Sequence, residues 1–125
     1  NIEARTMYDM ASKSIIPAVI KYTTQLASSI AAVKGVCQEA DVSTQTELLL
    51  ETSDLLAETK LALAKLTETT EKSAAMDGGK DQAVAYHEEV VPAMAALRTP
   101  VDKLEMLVDK DLWPMPSYGD LIFEV

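Results

Sequence analysis

The chain is poor in the side chains that most often carry chemistry. Its 125 residues include one Cys (Cys37), one His (His87), one Trp (Trp113) and one Phe (Phe123). A single cysteine excludes an internal disulfide and suits a reducing compartment. A single histidine excludes the paired Glu-x-x-His motifs of di-metal helical bundles, and Val84 stands three residues before His87 where the Glu would be. Glycine is also scarce: Gly78-Gly79 lacks the spaced third glycine and the Lys-Ser/Thr of a phosphate-cradling loop. No apolar run nears the roughly 20 residues that cross a bilayer, and no basic-then-apolar stretch opens the chain. A soluble, cytoplasmic protein is expected. Bases are few as well, and Lys and Arg number 11 against 20 Asp and Glu, for a net charge of -9. The deficit lies in residues 37–77, with three bases against nine acids, and in 78–125, with four against nine. Such a field repels phosphate backbones and anionic lipid surfaces, so neither nucleic acid nor a membrane is an expected partner.

What is present is helical pattern. Met7, Ala11, Ile15, Val19, Tyr22, Leu26, Ile30, Val33 and Cys37 recur in steps of three or four, predicting a first helix over about 2–36 with one apolar face. Pro17 falls inside it, where the missing N–H and the ring clash cost about 3 kcal/mol, so a kink or a break is expected there. Gly35 is the expected stop. A capping-box pattern, Thr44-Gln45-Thr46-Glu47, opens a second helix over about 44–76. Its leucines are dense early and give way to Thr67, Thr69 and Thr70, which predicts looser packing at the far end. Asp77-Gly78-Gly79 is the clearest turn signal. A third helix is expected over about 80–111, where Ala83, His87, Val90, Met94, Leu97, Val101, Leu104 and Val108 alternate steps of four and three in a heptad seam. The seam holds phase across Pro92 and Pro100, favouring one kinked helix over separate ones. The expected fold is all-α: an elongated up-down-up three-helix bundle with proline kinks and a short aromatic tail over 112–125, in a single domain. Each rod would be about 50 Å long if straight. So thin a bundle leaves apolar surface for another domain or subunit.

The candidate chemical groups find little to act with. His87 reads as a partly buried side chain bonded to a neighbouring helix, and Cys37 as a small apolar filler at a helix end. The methionines could line an adaptable groove, but their helical spacing favours the core. Glu47, Glu51, Asp54 and Glu58 share one helical face, which reads as a solvated face without the turn that holds calcium. Trp113-Pro114-Met115-Pro116-Ser117-Tyr118 is the remaining signal, because its prolines enforce an extended path between large apolar anchors. Two readings stay open: a tail folded back on its own bundle, or a set of interface anchors (Trp113, Tyr118, Phe123) docking on a neighbour.

The stretch Val101-Asp102-Lys103-Leu104-Glu105-Met106-Leu107-Val108-Asp109, through Leu112 to Tyr118 and on to Asp120-Leu121-Ile122-Phe123, resembles the C-terminus of type III glutamine synthetases. Asn1-Ile2-Glu3-Ala4-Arg5, Asp9-Met10-Ala11 and Ile16-Pro17-Ala18 resemble the start of that family's C-terminal helical region, and Tyr86-His87 and Val90-Val91-Pro92 fit the approach to its last helix. The acidic middle, about 37–80, carries no recognisable match. The resemblance implies a parent that joins glutamate and ammonia at the expense of ATP, needs a divalent metal (magnesium or manganese) and assembles as stacked hexameric rings. The family's nucleotide, metal and glutamate sites lie upstream, so no catalytic, cofactor or metal residue is expected here. The partners implied are the upstream catalytic region and neighbouring subunits, and the expected role is structural or in assembly. A chain that begins in helical register without Met is expected to be a piece of a longer one. The alternative is a self-standing helical protein-interaction or sensor module.

Overall fold

The computed structural model describes residues 2–76 and 78–114. Their regular elements are all helices, with no strand among the described residues. The first rod consists of α1 (Ile2–Met10), a π-turn (Ala11–Ile15) and α2 (Ile16–Val36). The second is one continuous helix, α3 (Ser43–Ala74). The third consists of α4 (Lys80–Ala85), a second π-turn (Tyr86–Val90) and α5 (Val91–Leu107).

Two layers of core fix the antiparallel order. One gathers Ala4 and Ala11 with Leu63 and Leu66 and with Val90, Ala93 and Leu97. The other gathers Ile15 and Val19 with Leu55 and with Leu104, Val108 and Trp113. Numbers rise along the first and third rods while they fall along α3, giving up, down, up. The rods meet chiefly through α3, which packs on both others, while α1 and α5 touch each other only lightly.

Both π-turns directly precede a proline. Ile16 N–H donates to Ala11 O, and Val91 N–H to Tyr86 O, each five residues back instead of four. Pro17 and Pro92 follow as the second residues of α2 and α5. A proline ring in a straight α-helix collides with the carbonyl four residues earlier, and a widened turn just before it makes room. Pro100 lies buried inside α5 with no such turn.

The second π-turn also changes which residues face inward. Downstream of it the heptad seam is inside: Val90, Leu97 and Leu104 are fully buried. Upstream, Ala83 and His87 are exposed and Ala85 is buried instead. The turn holds one residue more than an α-turn, so the residue one turn before Val90 is Ala85, five back.

Other local expectations are corrected. The capping box at Thr44 does not form; α3 starts one residue earlier at Ser43, whose backbone N–H donates to Asp41 Oδ1 at 2.9 Å. Hydrogen bonds from Ser43, hydroxyl first and backbone second, hold the Asp41 carboxyl below its usual range. The first rod ends at Val36, the expected bound, one residue past Gly35. The third rod ends at Leu107 rather than near 111, since Val108 turns to extended backbone and Asp109 O accepts the N–H groups of Leu112 and Trp113. Toward its far end the second rod keeps an inward seam, but a cavity of about 290 Å3 opens there between α1 and Leu66, Thr67, Thr70 and Glu71, and Thr70 Oγ1 and Ser73 Oγ are buried without a partner. Thr69 is 5% exposed and Ser73 fully buried, because α3 turns a seam of Thr52, Leu55, Thr59, Leu63, Leu66, Thr69 and Ser73 to its neighbours. Small side chains let the rods approach, and Thr59 and Thr69 donate their hydroxyls to the carbonyls of Leu55 and Leu66 in their own helix, at 2.8 and 3.1 Å.

Thr52 Oγ1 is buried without a partner, so Thr52→Val, which keeps the shape and removes the stranded hydroxyl, is expected to stabilise the chain by about 1 kcal/mol. Leu97→Ala, in the centre of the core, is expected to cost roughly 3 kcal/mol. Urea unfolding of both variants measures the two effects.

Candidate functional site

The light contact between α1 and α5 leaves a groove between them, on the side that α3 does not cover. Its volume is about 570 Å3, and Met7, Met10, Ile15, Met94, Val101 and Trp113 form its apolar lining. Glu3, Arg98, Asp102 and Glu105 stand along it as well, so charge is confined to one base among acids. The methionines, expected in the core, are at its margin: Met7 and Met94 pack against one core layer, Met10 against the other, and all three also face the groove. Met106 is 88% exposed and takes no part. Helical spacing placed the methionines on inward faces; it carried no sign of how far α1 and α5 diverge, which is what opens the groove.

Trp113 closes one end of this groove. It is 8% exposed and packs in the core layer of Ile15, Val19, Leu55, Leu104 and Val108. The turn that delivers it is built on Asp109, whose carbonyl accepts Trp113 N–H at 3.1 Å and whose Oδ1 accepts Asp111 N–H at 2.9 Å. Tyr22 packs against the same layer, and burial, with the nearby Asp109 carboxylate as a second cause, pushes its phenol above the ordinary value. Tyr118 and Phe123, the other two expected anchors, lie outside the described residues.

The remaining candidates are dispersed. His87 is exposed rather than partly buried, a consequence of the π-turn, and lies beside a shallow cavity with Ser73, Gln82 and Tyr86. Cys37 is exposed rather than a packed filler, because α2 projects past the last core layer before it ends. Glu47, Glu51, Asp54 and Glu58 are all exposed along α3. Among the described residues no three His, Cys, Asp or Glu side chains converge as a cation would require. The donor set therefore does not fit the divalent metal that the family resemblance implies for a parent enzyme. No helix among the described residues is long and apolar enough to cross a membrane.

The described residues thus form an all-helical bundle with an apolar groove between α1 and α5 and dispersed carboxylates. Comparison with known proteins gives its kinship. Residues 1–34 match the family model described as the glutamine synthetase C-terminal domain. The chain aligns at 29% identity with a glutamine synthetase of Bacteroides fragilis, over 98% of its own length and 17% of that protein's. It is 27% identical to a glutamine synthetase of Butyrivibrio fibrisolvens over 100% of this chain and 18% of the relative, and 26% identical to a type-3 glutamine synthetase of Dictyostelium discoideum over 98% and 17%. Over nearly its whole length the chain is thus similar to a C-terminal part of glutamine synthetases, a type-3 enzyme among them. It spans only 17 to 18% of the length of these relatives.

Replacing Trp113 by Ala empties a packed site and is expected to lower stability by about 3 kcal/mol or more, read from thermal melting of the chain. Tyr22 gives a pH prediction. Its folded-state pKa is raised above the unfolded value near 10, so the stability it contributes is present at neutral pH and lost as pH rises through the folded pKa. Ultraviolet titration should show a phenol ionising above pH 10 that Tyr22→Phe removes, and Asp109→Asn should lower its midpoint.

Proposed function

We propose that this chain is the helical C-terminal domain of a type III glutamine synthetase and that its role is structural, shaping the oligomer or supporting the catalytic region. The observation that carries this reading is the alignment of nearly the whole chain with a short part of each relative. Residues 1–125 form one domain, cytoplasmic with its parent. The parent makes glutamine from glutamate and ammonia, and ATP and the divalent metal, magnesium or manganese, are held upstream of this segment. The segment itself has no activity. Its partners are the upstream catalytic region and neighbouring subunits, toward which Tyr118 and Phe123 are candidate anchors alongside the buried Trp113. Neither nucleic acid nor a membrane binds it, in keeping with the net charge of -9.

Deleting the segment from the parent tests this directly. Mass photometry is expected to show loss of the full oligomer, with reduced glutamine formation. An intact, fully active oligomer after the deletion would contradict a structural role.

A further inference from the structure

The three rods stand at three corners of a square. In a triangular bundle every rod packs on the other two, but here α3 packs on both neighbours while the first and third rods meet only lightly. Helices on the diagonal of a four-helix bundle have that relation. The fourth corner is the apolar groove between α1 and α5, and no described residue fills it. From Ile2 to Ile15 its wall runs about 20 Å at helical rise, or roughly four turns of a helix laid along it.

The lining states what kind of helix fits. Met7, Met10 and Met94 are unbranched and adapt to an opposing apolar face, and an amphipathic helix laid in such a groove seats side chains at steps of three and four. Along the margin Glu3, Asp102 and Glu105 stand with a single base, Arg98. Bases on the flanks of the incoming helix complement those acids. The exposed faces of a second copy of this chain do not supply such a helix. Leu50 and Leu61, 61% and 73% exposed on the back of α3, are flanked by Glu47, Asp54 and Glu58, which would meet the acids of the groove. The helix α2 carries no acid, but its large exposed apolar residues, Ile20 and Val36, are too far apart to form a stripe.

We infer that the groove is the seat of a fourth helix, amphipathic and flanked by bases, contributed from outside this chain. Resting on the reading proposed above, that helix belongs to the rest of the parent enzyme, since the relatives extend well beyond the 17 to 18% of their length that this chain spans. Docking there joins the domain to the catalytic region by completing its bundle.

Methionine methyl groups provide the readout. The probe is a helical peptide of two Leu-Lys-Lys-Leu-Leu-Lys-Leu repeats, with a counterpart carrying Glu in place of every Lys. In the full chain labelled with methyl-13C methionine, the Lys peptide is expected to move the Met7, Met10 and Met94 signals and leave Met76, outside the groove, in place. The Glu counterpart is expected to move none of them. Asp102→Lys/Glu105→Lys should weaken the Lys peptide about tenfold. Glu3→Lys, at an exposed position, repeats the test should the double variant fail to fold. In the intact parent the three groove signals are expected to differ from their positions in the isolated chain. Equal response to both peptides, or a response that the charge reversals leave unchanged, would overturn the chemistry of the seat. Groove signals alike in parent and isolated chain would overturn its source. Signals of the peptide-free chain that move on dilution would show a second copy in the groove, and signals that move when the chain is ended at Pro114 would show its own residues 115–125; either contradicts the inference. The peptide results do not depend on kinship, so failure of the family reading, tested by deletion, is told apart from failure of the seat.

Discussion

The turn at Tyr86–Val90 is the constraint from which the third rod takes its form. In a straight α-helix Pro92 would bring a clash and a lost hydrogen bond, together about 3 kcal/mol, a cost that Pro100 inside α5 bears without a widened turn. At Pro92 the chain meets it by widening the preceding turn, closed by the bond from Val91 N–H to Tyr86 O. The residue gained rotates everything upstream relative to everything downstream. Ala85 therefore faces inward, and His87, which a straight heptad would bury, faces water. The first rod repeats the device before Pro17, with Ala11 and Ile16 in the same relation. Between two rods so adjusted, α3 runs as a single uninterrupted helix and supplies the straight surface on which both are seated.

That surface is narrow. Thr52, Thr59, Thr69 and Ser73 alternate with leucines along the seam, and their size sets how closely the rods approach. A buried hydroxyl is tolerable in a helix when it can donate to a carbonyl of the preceding turn, as at Thr59 and Thr69. The apolar groove lies where α1 and α5 meet only lightly, and Trp113, delivered by the turn at Asp109, is part of its lining.

Periodicity made the helices and the Gly78-Gly79 reversal legible, because apolar steps of three and four that stay in phase over about 30 residues require a helix. Features that depend on small departures from the α-helix were not. The seam through His87 and Pro92 looked continuous because a heptad read on paper assumes constant residues per turn. The threonine-rich end of α3 is looser as its composition suggests, yet its seam stays buried because a helix can satisfy a hydroxyl internally, as at Thr67 and Thr69. The capping box at Thr44 competed with Asp41, whose carboxylate reaches Ser43 N–H first. Of the candidate site, Trp113 was visible as an aromatic at a helix end. The groove was not, since a gap between rods is set by their relative tilt and no single rod's pattern records it. Kinship to glutamine synthetases was carried by short motifs at the two ends, and the family model independently covers the first of them, residues 1–34.

The central claim is that the second π-turn is a one-residue insertion made to accommodate Pro92, and deletion tests it most directly. Removing the exposed Glu88 restores an α-turn and keeps Ala85 in line with Val90, but returns Pro92 to a straight helix. The expected melting behaviour is clear destabilisation by the Glu88 deletion alone, and recovery to near the parent when Pro92→Ala is added. Deletion of Ala95, equally exposed but outside the turn, should unfold the rod in either background, because it rotates Val90 and Ala93 away from α3. If the Glu88 deletion with Pro92→Ala were as disruptive as the Ala95 deletion, the turn would not be an insertion serving the proline, and the account of the bundle would fail.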